Sequence, residues 1–132
     1  MREILFKAKR ISDGKWIEGS LIVYPDQTTG IVYDIGDIEG MRKEVVRPET
    51  VCQYTGLADK NGKKIFEGDV VRLVYDGEEY IFVVIWDQDE LDFKATNGKQ
   101  NYGPGGFQYL PCCDEIEILG SIHDGEGGQH EQ

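Results

Sequence analysis

Turn dipeptides that contain glycine recur along this chain and separate short apolar runs, and this pattern constrains the fold most strongly. They are Asp13-Gly14, Asn61-Gly62, Gly68-Asp69, Asp76-Gly77 and Asn97-Gly98. Asn-Gly and Asp-Gly are favoured in two-residue type I′ hairpin turns, because both residues tolerate positive φ angles. No segment keeps an apolar period of 3.6 residues over three turns, as an amphipathic helix would. The sequence therefore predicts an all-β fold, mainly β with little helix.

The longest apolar run, at Tyr80–Trp86, predicts a central strand that is buried on both faces. It is expected to join the neighbouring strands in a bent sheet or a small SH3-like barrel. Residues 2–25 predict an added N-terminal β-hairpin, and Gly19 in its return strand predicts a bulge or a close backbone contact. Further strands are expected at residues 31–33, 45–46, 53–55, 64–66, 70–75, 91–96 and 116–122, with one helical turn at 48–50.

The chain has 132 residues, the usual size of one domain. We therefore expect a single β domain at residues 1–123, with sub-modules 1–53 and 54–123 as a finer division. Residues 124–132 are rich in Gly, Glu, Gln and His and predict a solvated polar tail. Within 99–110, a glycine-rich loop is expected to be held down by its aromatic residues.

The charge of the chain is unevenly distributed. The net charge is −11, yet residues 1–53 hold eight basic and nine acidic residues, whereas residues 54–132 hold six and sixteen. Between Leu73 and Phe93 there is no Lys or Arg, while seven acidic residues occur there: Asp76, Glu78, Glu79, Asp87, Asp89, Glu90 and Asp92. Binding to a phosphate backbone requires clustered cations, so we expect no direct contact with DNA or RNA.

A short basic loop, Lys60–Lys64, stands out in this acidic half of the chain. Its simplest interpretation is a soluble hairpin tip, and that of the acidic residues is a solvated face. The functional interpretation makes Lys60, Lys63, Lys64 and the seven acidic residues protein-contact candidates. The loop of one copy would then meet residues 76–92 of another in a homo-oligomer, or the acidic residues would meet a basic protein partner. Self-repulsion between acidic chains opposes assembly.

The sequence predicts no catalytic residue and no cofactor. A Ser or Cys nucleophile needs a histidine base that a third group orients, and the two histidines, His123 and His130, lie beside the tail. The chain has neither a GxSxG elbow nor a Walker A loop. We therefore expect a protein that is not an enzyme.

The three cysteines are expected to be reduced thiols. Cys112 and Cys113 are adjacent, a spacing too short for a relaxed disulfide. A zinc site from Cys52, Cys112, Cys113 and His123 is conceivable, but no CxxC pair supports it, so we expect no metal. No apolar run approaches the roughly 20 residues of a membrane span, and no signal peptide is visible. We therefore expect a cytoplasmic protein without membrane contact.

Three segments carry a resemblance to a known family. They are REILFKAKRISDGKWIEGSLI at residues 2–22, RPETVCQYTGLADKNGKKIFEGDVV at 47–71 and EIEILGSIHD at 115–124. Together they resemble the YopX-like proteins of phages and prophages. The resemblance implies a mainly β fold and a phage or prophage origin, with the chain in the host cytoplasm. It implies no reaction or cofactor, and its motif residues serve as fold markers: Tyr54, Gly56, Asn61, Gly62, Gly68 and Asp69.

Two functions follow as expectations from these observations. The first is a non-enzymatic phage accessory protein of uncharacterised role, a β module that acts through protein–protein interaction. The alternative is an acidic mimic of nucleic acid that occupies a basic host or phage protein. A mimic requires the acidic residues to form one contiguous stripe, so their arrangement discriminates between the two.

Overall fold

A computed structural model describes residues 2–34, 36, 40–97 and 107–124. The chain divides into two compact units, one that ends at Tyr54 and one that spans Thr55–Asp124. The sub-module boundary expected after residue 53 lies one residue from this division. Apart from Asp124, the expected polar tail lies outside the described residues. So do Gly98 of the expected Asn97-Gly98 turn and residues 99–106 of the segment expected to hold a glycine-rich loop.

Eleven strands occur in the described residues, with three-residue 3-10 turns at Pro48–Thr50 and Leu110–Cys112. The strands are β1 (Phe6–Lys9), β2 (Trp16–Val23), β3 (Thr29–Asp34), β4 (Met41–Val45), β5 (Cys52–Ala58), β6 (Lys64–Phe66), β7 (Asp69–Tyr75), β8 (Glu78–Asp87), β9 (Asp92–Thr96), β10 (Phe107–Tyr109) and β11 (Asp114–Ser121). The prediction of a mainly β fold is confirmed. The strands form two antiparallel sheets, and neither closes into a barrel, so of the two expected architectures the barrel does not form.

The first unit begins with the expected N-terminal hairpin. Its strands pair in the order β4-β3-β2-β1 followed by the start of β5, with β1 antiparallel to β2, and Gly14 takes a φ of 73° in the turn between them. The core of this unit contains Ala8, Ile31 and Val46. Gly19 makes the expected close contact, because a Cβ there would lie 2.1 Å from the carbonyl oxygen of Val32.

The second unit contains a five-stranded sheet of order β10-β9-β8-β7-β11. One face of this sheet packs onto a core that joins all its longer strands: Ile65, Val71, Leu73, Phe82, Val84, Ala95, Leu110 and Ile116. Leu110 is fully buried although it lies in a 3-10 turn that the sequence pattern did not predict. Strand β10 also falls inside a segment that was expected to be a loop.

Strand β8 is the central and longest strand of this sheet, but it is not buried on both faces as predicted. Phe82 and Val84 are buried in the core, whereas Ile81 is 61% exposed. Alternate side chains of a strand point to opposite faces, and an antiparallel sheet needs only one face covered. The unbroken apolar run therefore predicted the position of the strand correctly, but the prediction that its second face is also buried is wrong.

Two hairpin turns of this unit differ in type. Asp76 and Gly77 have φ angles of 52° and 79°, as a two-residue type I′ turn requires. At Asn61-Gly62 only Gly62 has a positive φ, of 84°, so the expected type I′ turn is wrong. The backbone N–H of Asp59 donates to the carbonyl of Lys63 at 2.7 Å, which closes a three-residue loop instead.

Candidate protein-contact site

The basic loop, Lys60–Lys64, is organised by the buried side chain of Asp59. This residue is 6% exposed, and its Oδ1 accepts hydrogen bonds from the backbone N–H groups of Asn61 at 2.8 Å and Lys63 at 2.9 Å. Burial by itself raises the pKa of Asp59, but hydrogen bonds from the backbone of Ile118, Lys63 and Asn61 outweigh it and lower the pKa. The loop is therefore held in one shape by a carboxylate that remains charged.

Sequence reasoning overlooked Asp59 and assigned the turn to Asn61-Gly62 alone. The available signal was an aspartate two residues before Asn61, because an Asp side chain often accepts a hydrogen bond from the backbone two residues later. Its third bond, to Ile118, joins residues far apart in sequence and leaves no local pattern.

The same loop covers part of the outer edge of β11. The backbone N–H of Lys60 donates to the carbonyl of Ile116 at 2.8 Å, and the N–H of Ile118 donates to Asp59 Oδ2 at 3.1 Å. These two positions are where an added strand would pair. Natural sheets commonly protect an edge by covering it with a loop. Strand pairing through this part of β11 is therefore blocked while the loop is in place.

The predicted contact lysines, Lys60, Lys63 and Lys64, are all exposed and lie on this one loop. Lys60 Nζ is 4.0 Å from Glu117 Oε1, which also lies 2.6 Å from Arg72 Nη1. Arg72 Nε in turn lies 3.3 Å from Glu79. Exposed ion pairs of this kind contribute little stability. The network nevertheless joins one predicted basic residue and one predicted acidic residue through Arg72 and Glu117.

The seven predicted acidic residues form two groups, not one stripe. Asp76, Glu78 and Glu79 lie at the β7–β8 turn, whereas Asp87, Asp89, Glu90 and Asp92 lie at the β8–β9 turn. Strand β8 separates the two groups, and its apolar segment from residue 80 to 86 spans roughly 20 Å at about 3.3 Å per residue. We call residues 87–92 the acidic turn.

A buried lysine ties the acidic turn to strand β10. Lys94 is 2% exposed, and its Nζ lies 2.6 Å from Asp87 Oδ2 and 2.9 Å from Glu90 Oε1. The Tyr109 hydroxyl donates to Glu90 at 2.7 Å, and its ring centroid lies 5.1 Å from Lys94 Nζ. Two of the acidic residues that the sequence marked as contact candidates therefore hold the fold together.

The protonation of these groups follows from the same contacts. The hydrogen bond from Lys94 lowers the pKa of Asp87, and the hydrogen bonds from Tyr109 and then Lys94 lower the pKa of Glu90. The hydrogen bond to Asp87 is the largest cause of the raised pKa of Lys94. The pKa of Tyr109 is raised, mainly by its bond to Glu90. All four groups therefore keep their ordinary charges at neutral pH.

Two exposed leucines accompany the charged segments. Leu91, in the acidic turn, is 65% exposed and has a φ of 55°, a left-handed conformation that costs a non-glycine residue about 1–2 kcal/mol. Its backbone N–H donates to the carbonyl of Asp87 at 2.7 Å. Leu119 is 44% exposed and follows Ile118, whose backbone N–H donates to Asp59, the residue before the basic loop. One exposed leucine thus lies in the acidic turn, and another lies one residue from the strand position that Asp59 contacts.

The residues carried over as fold markers occupy positions with a clear structural need. Gly56, Gly62 and Gly68 all have positive φ angles, of 92°, 84° and 87°. Glycine adopts such angles without steric cost. Asp69 is almost fully buried, and its Oδ2 accepts a hydrogen bond from the backbone N–H of Phe66 at 2.8 Å. Tyr54 donates its backbone N–H to the carbonyl of Leu5.

The structure places no metal-binding group of three or more His, Cys, Asp or Glu residues within residues 2–34, 36, 40–97 and 107–124. Cys52 is buried and Cys113 is half-buried, and their thiol sulfurs donate to the carbonyls of Thr50 and Tyr109. The absence of zinc remains a prediction. In the same described ranges, no helix is long and apolar enough to span a membrane.

Comparison with known proteins identifies the family. A search of curated proteins finds no match to this chain. The family model for the YopX protein matches residues 5–126, which is most of the chain. The match includes nearly all of the three segments on which the resemblance rests, together with the basic loop and the acidic turn. The chain therefore belongs to the YopX protein family.

Proposed function

We propose that this YopX family protein is a non-enzymatic accessory protein, encoded by a phage or prophage, that acts through protein–protein contact in the host cytoplasm. The rigid basic loop on an otherwise acidic unit carries this proposal. A surface that is already fixed in one shape loses little conformational entropy when it binds. Here a buried carboxylate, Asp59, fixes the loop while its lysines stay exposed.

The charged clusters of the second unit support a non-enzymatic role. Asp59 is occupied by three backbone N–H groups, and Lys94 is paired with Asp87 and Glu90. Arg72 is likewise paired with Glu79 and Glu117. In each cluster the charged side chains are paired with one another or with backbone N–H groups, and the cluster stabilises a turn or the edge of a sheet. Cys52 and Cys113 are in the thiol form, which is typical of a reducing compartment such as the cytoplasm.

The acidic-mimic alternative is disfavoured by the arrangement of the carboxylates. A mimic of a nucleic acid must repeat its charges along a continuous path, because phosphates follow one another at regular spacing. In this protein the two acidic groups lie at opposite ends of an apolar strand. Asp87 and Glu90 are also neutralised in part by Lys94. We therefore rank contact through the basic loop above mimicry.

Cross-linking in living cells tests this proposal. The tagged protein is expressed in the bacterial host, cross-linked and purified, and the joined peptides are identified by mass spectrometry. We expect cross-links from Lys60, Lys63 or Lys64 to another polypeptide, either a second copy or a host or phage protein. The variant Lys63→Glu/Lys64→Glu should lose that partner. A charge-matched control, Arg2→Glu/Lys15→Glu, should keep it. Recovery of no specific partner would contradict a protein-contact role.

A further inference from the structure

We propose that the basic loop of one copy binds the acidic turn of a second copy, so that the chains associate head to tail. This inference rests on the proposed function, since it names the partner of the same loop. It replaces the broad expectation that the loop meets residues 76–92 with one defined segment, residues 87–92.

Charge complementarity favours this pairing. The acidic turn carries four carboxylates, at Asp87, Asp89, Glu90 and Asp92. Among the residues that the structure describes, Lys94 is the cation paired with them at short distance. The basic loop carries three exposed lysines within five residues. Opposite charges that meet at an interface guide association and fix the relative orientation of the partners. The acidic turn therefore offers excess negative charge to a surface that offers positive charge.

The exposed leucines extend the match beyond charge. Leu91 is exposed at the acidic turn, and Leu119 is exposed next to Ile118, whose backbone N–H bonds to Asp59 at the start of the basic loop. Leu91 also adopts a left-handed backbone conformation in which glycine or asparagine would be more stable. A leucine there does not help the isolated chain to fold. Its side chain is instead available to bury apolar area against Leu119 of another copy.

One chain cannot make this contact within itself. The basic loop bonds to β11 at Ile116. The next residue of β11, Glu117, pairs with Arg72 of β7, and Arg72 pairs in turn with Ile81 of β8. The acidic turn begins at Asp87, six residues further along β8, which corresponds to about 20 Å. The two surfaces are also separated by the intervening strand β7. A contact between different surfaces generates rings or open chains of subunits.

The competing contacts are less suitable. Strand addition at β11 is blocked at Ile116 and Ile118 by the loop itself. In the β7–β8 turn, Glu79 is already paired with Arg72. That turn also presents no large exposed apolar side chain between residues 75 and 79. Of the two described acidic groups, the acidic turn is the one that combines excess carboxylates with an exposed leucine.

Mixing two complementary variants tests the contact. The turn variant is Asp89→Lys/Leu91→Gly, and the loop variant is Lys63→Glu/Lys64→Glu. Each variant loses one of the two surfaces, so each should be monomeric in light scattering at concentrations where the unaltered protein associates. An equimolar mixture retains one intact loop and one intact turn, and it should form a 1:1 dimer. Association of the unaltered protein should weaken as salt rises.

Each outcome decides the proposal. Arg2→Glu/Lys15→Glu should associate like the unaltered protein, because its charge change lies elsewhere. A monomeric unaltered protein, variants that still associate, or a mixture without dimers would overturn the proposal. Thermal unfolding verifies that each variant is folded, and Asp89→Lys alone replaces the turn variant if that one is not. Association that persists in both variants would exclude this contact but would leave the proposed function intact. Loss of every cross-linked partner would contradict the function itself.

Discussion

The carboxylate of Asp59 accepts a hydrogen bond from the backbone N–H of Ile118, 59 positions later in the chain, at 3.1 Å. The same side chain accepts two bonds from its own loop, from Asn61 and Lys63. One buried carboxylate thus shapes the basic loop and attaches it to the edge of β11. This arrangement explains how a glycine-containing lysine loop keeps a defined shape at the surface.

Replacing Asp59 with alanine should destabilise the protein by about 2–3 kcal/mol, because three partly buried N–H groups lose their charged acceptor. Urea unfolding measures the effect. Asp26→Ala is the matched control, since exposed Asp26 accepts its hydrogen bonds locally, from the backbone and side chain of Thr28, and its loss should cost less than about 1 kcal/mol. Equal losses in the two variants would show that the bond to Ile118 contributes nothing.

The stability that Asp59 contributes should depend on acid pH. Its folded-state pKa is lowered, so the contribution is fully present above the unfolded-state pKa of about 4 and is lost as the pH falls through the folded value. The difference in unfolding free energy between the unaltered protein and Asp59→Asn should therefore be constant near neutral pH and shrink below about pH 4. Urea unfolding at a series of pH values measures this difference. A difference that grows on acidification would contradict the lowered pKa.

Gly19→Ala should destabilise the first unit by about 3 kcal/mol or more, because the new methyl group would overlap a fixed backbone atom. The clash is with the carbonyl oxygen of Val32, at 2.1 Å. Gly120→Ala is the control, since its Cβ would meet only the side-chain Oδ2 of Asp124, at 2.9 Å, which can rotate away. Denaturant unfolding should give Gly19→Ala a much lower free energy of unfolding than Gly120→Ala, and the reverse order would refute the close contact.

Lys94 and Asp87 should show energetic coupling. Lys94→Met removes a buried cation and leaves Asp87 and Glu90 close together without it. Asp87→Asn should therefore be less harmful when Lys94 is already methionine, which a double-mutant cycle by thermal unfolding measures. The exposed pair Arg10 and Asp13 is the comparison and should show weaker coupling. Independent, additive effects at Lys94 and Asp87 would argue against the pair.

Direct binding to nucleic acid should be absent at physiological salt. The net charge of −11 opposes the phosphate backbone, and the basic loop supplies only three of the six basic residues after residue 53. Gel-shift titrations with duplex and single-stranded DNA and RNA measure this. A complex that forms at micromolar protein and weakens with salt would contradict the prediction.

The sequence by itself determined the strands and most of the turns. Alternating apolar residues and glycine turns identify β1, β2, β6, β7, β8 and β9, because these signals depend on neighbours a few residues apart. The Asp76-Gly77 turn was predictable for the same reason, since two positive φ angles need residues that tolerate them. The location of the candidate contact residues also followed, because charge is visible in the sequence.

Only the tertiary structure decided how these segments combine. It separated the acidic residues into two groups, exposed Ile81 on the second face of β8, and paired Lys94 with Asp87 beneath Tyr109. It also placed Asp59 against Ile118. The contact of Lys94 with Tyr109 depends on the pairing of β9 with β10, and the bond between Asp59 and Ile118 depends on the basic loop lying against β11. No local pattern specifies either pairing. A sequence shows which residues carry charge or apolar area, but burial and partners arise only when distant strands pack together.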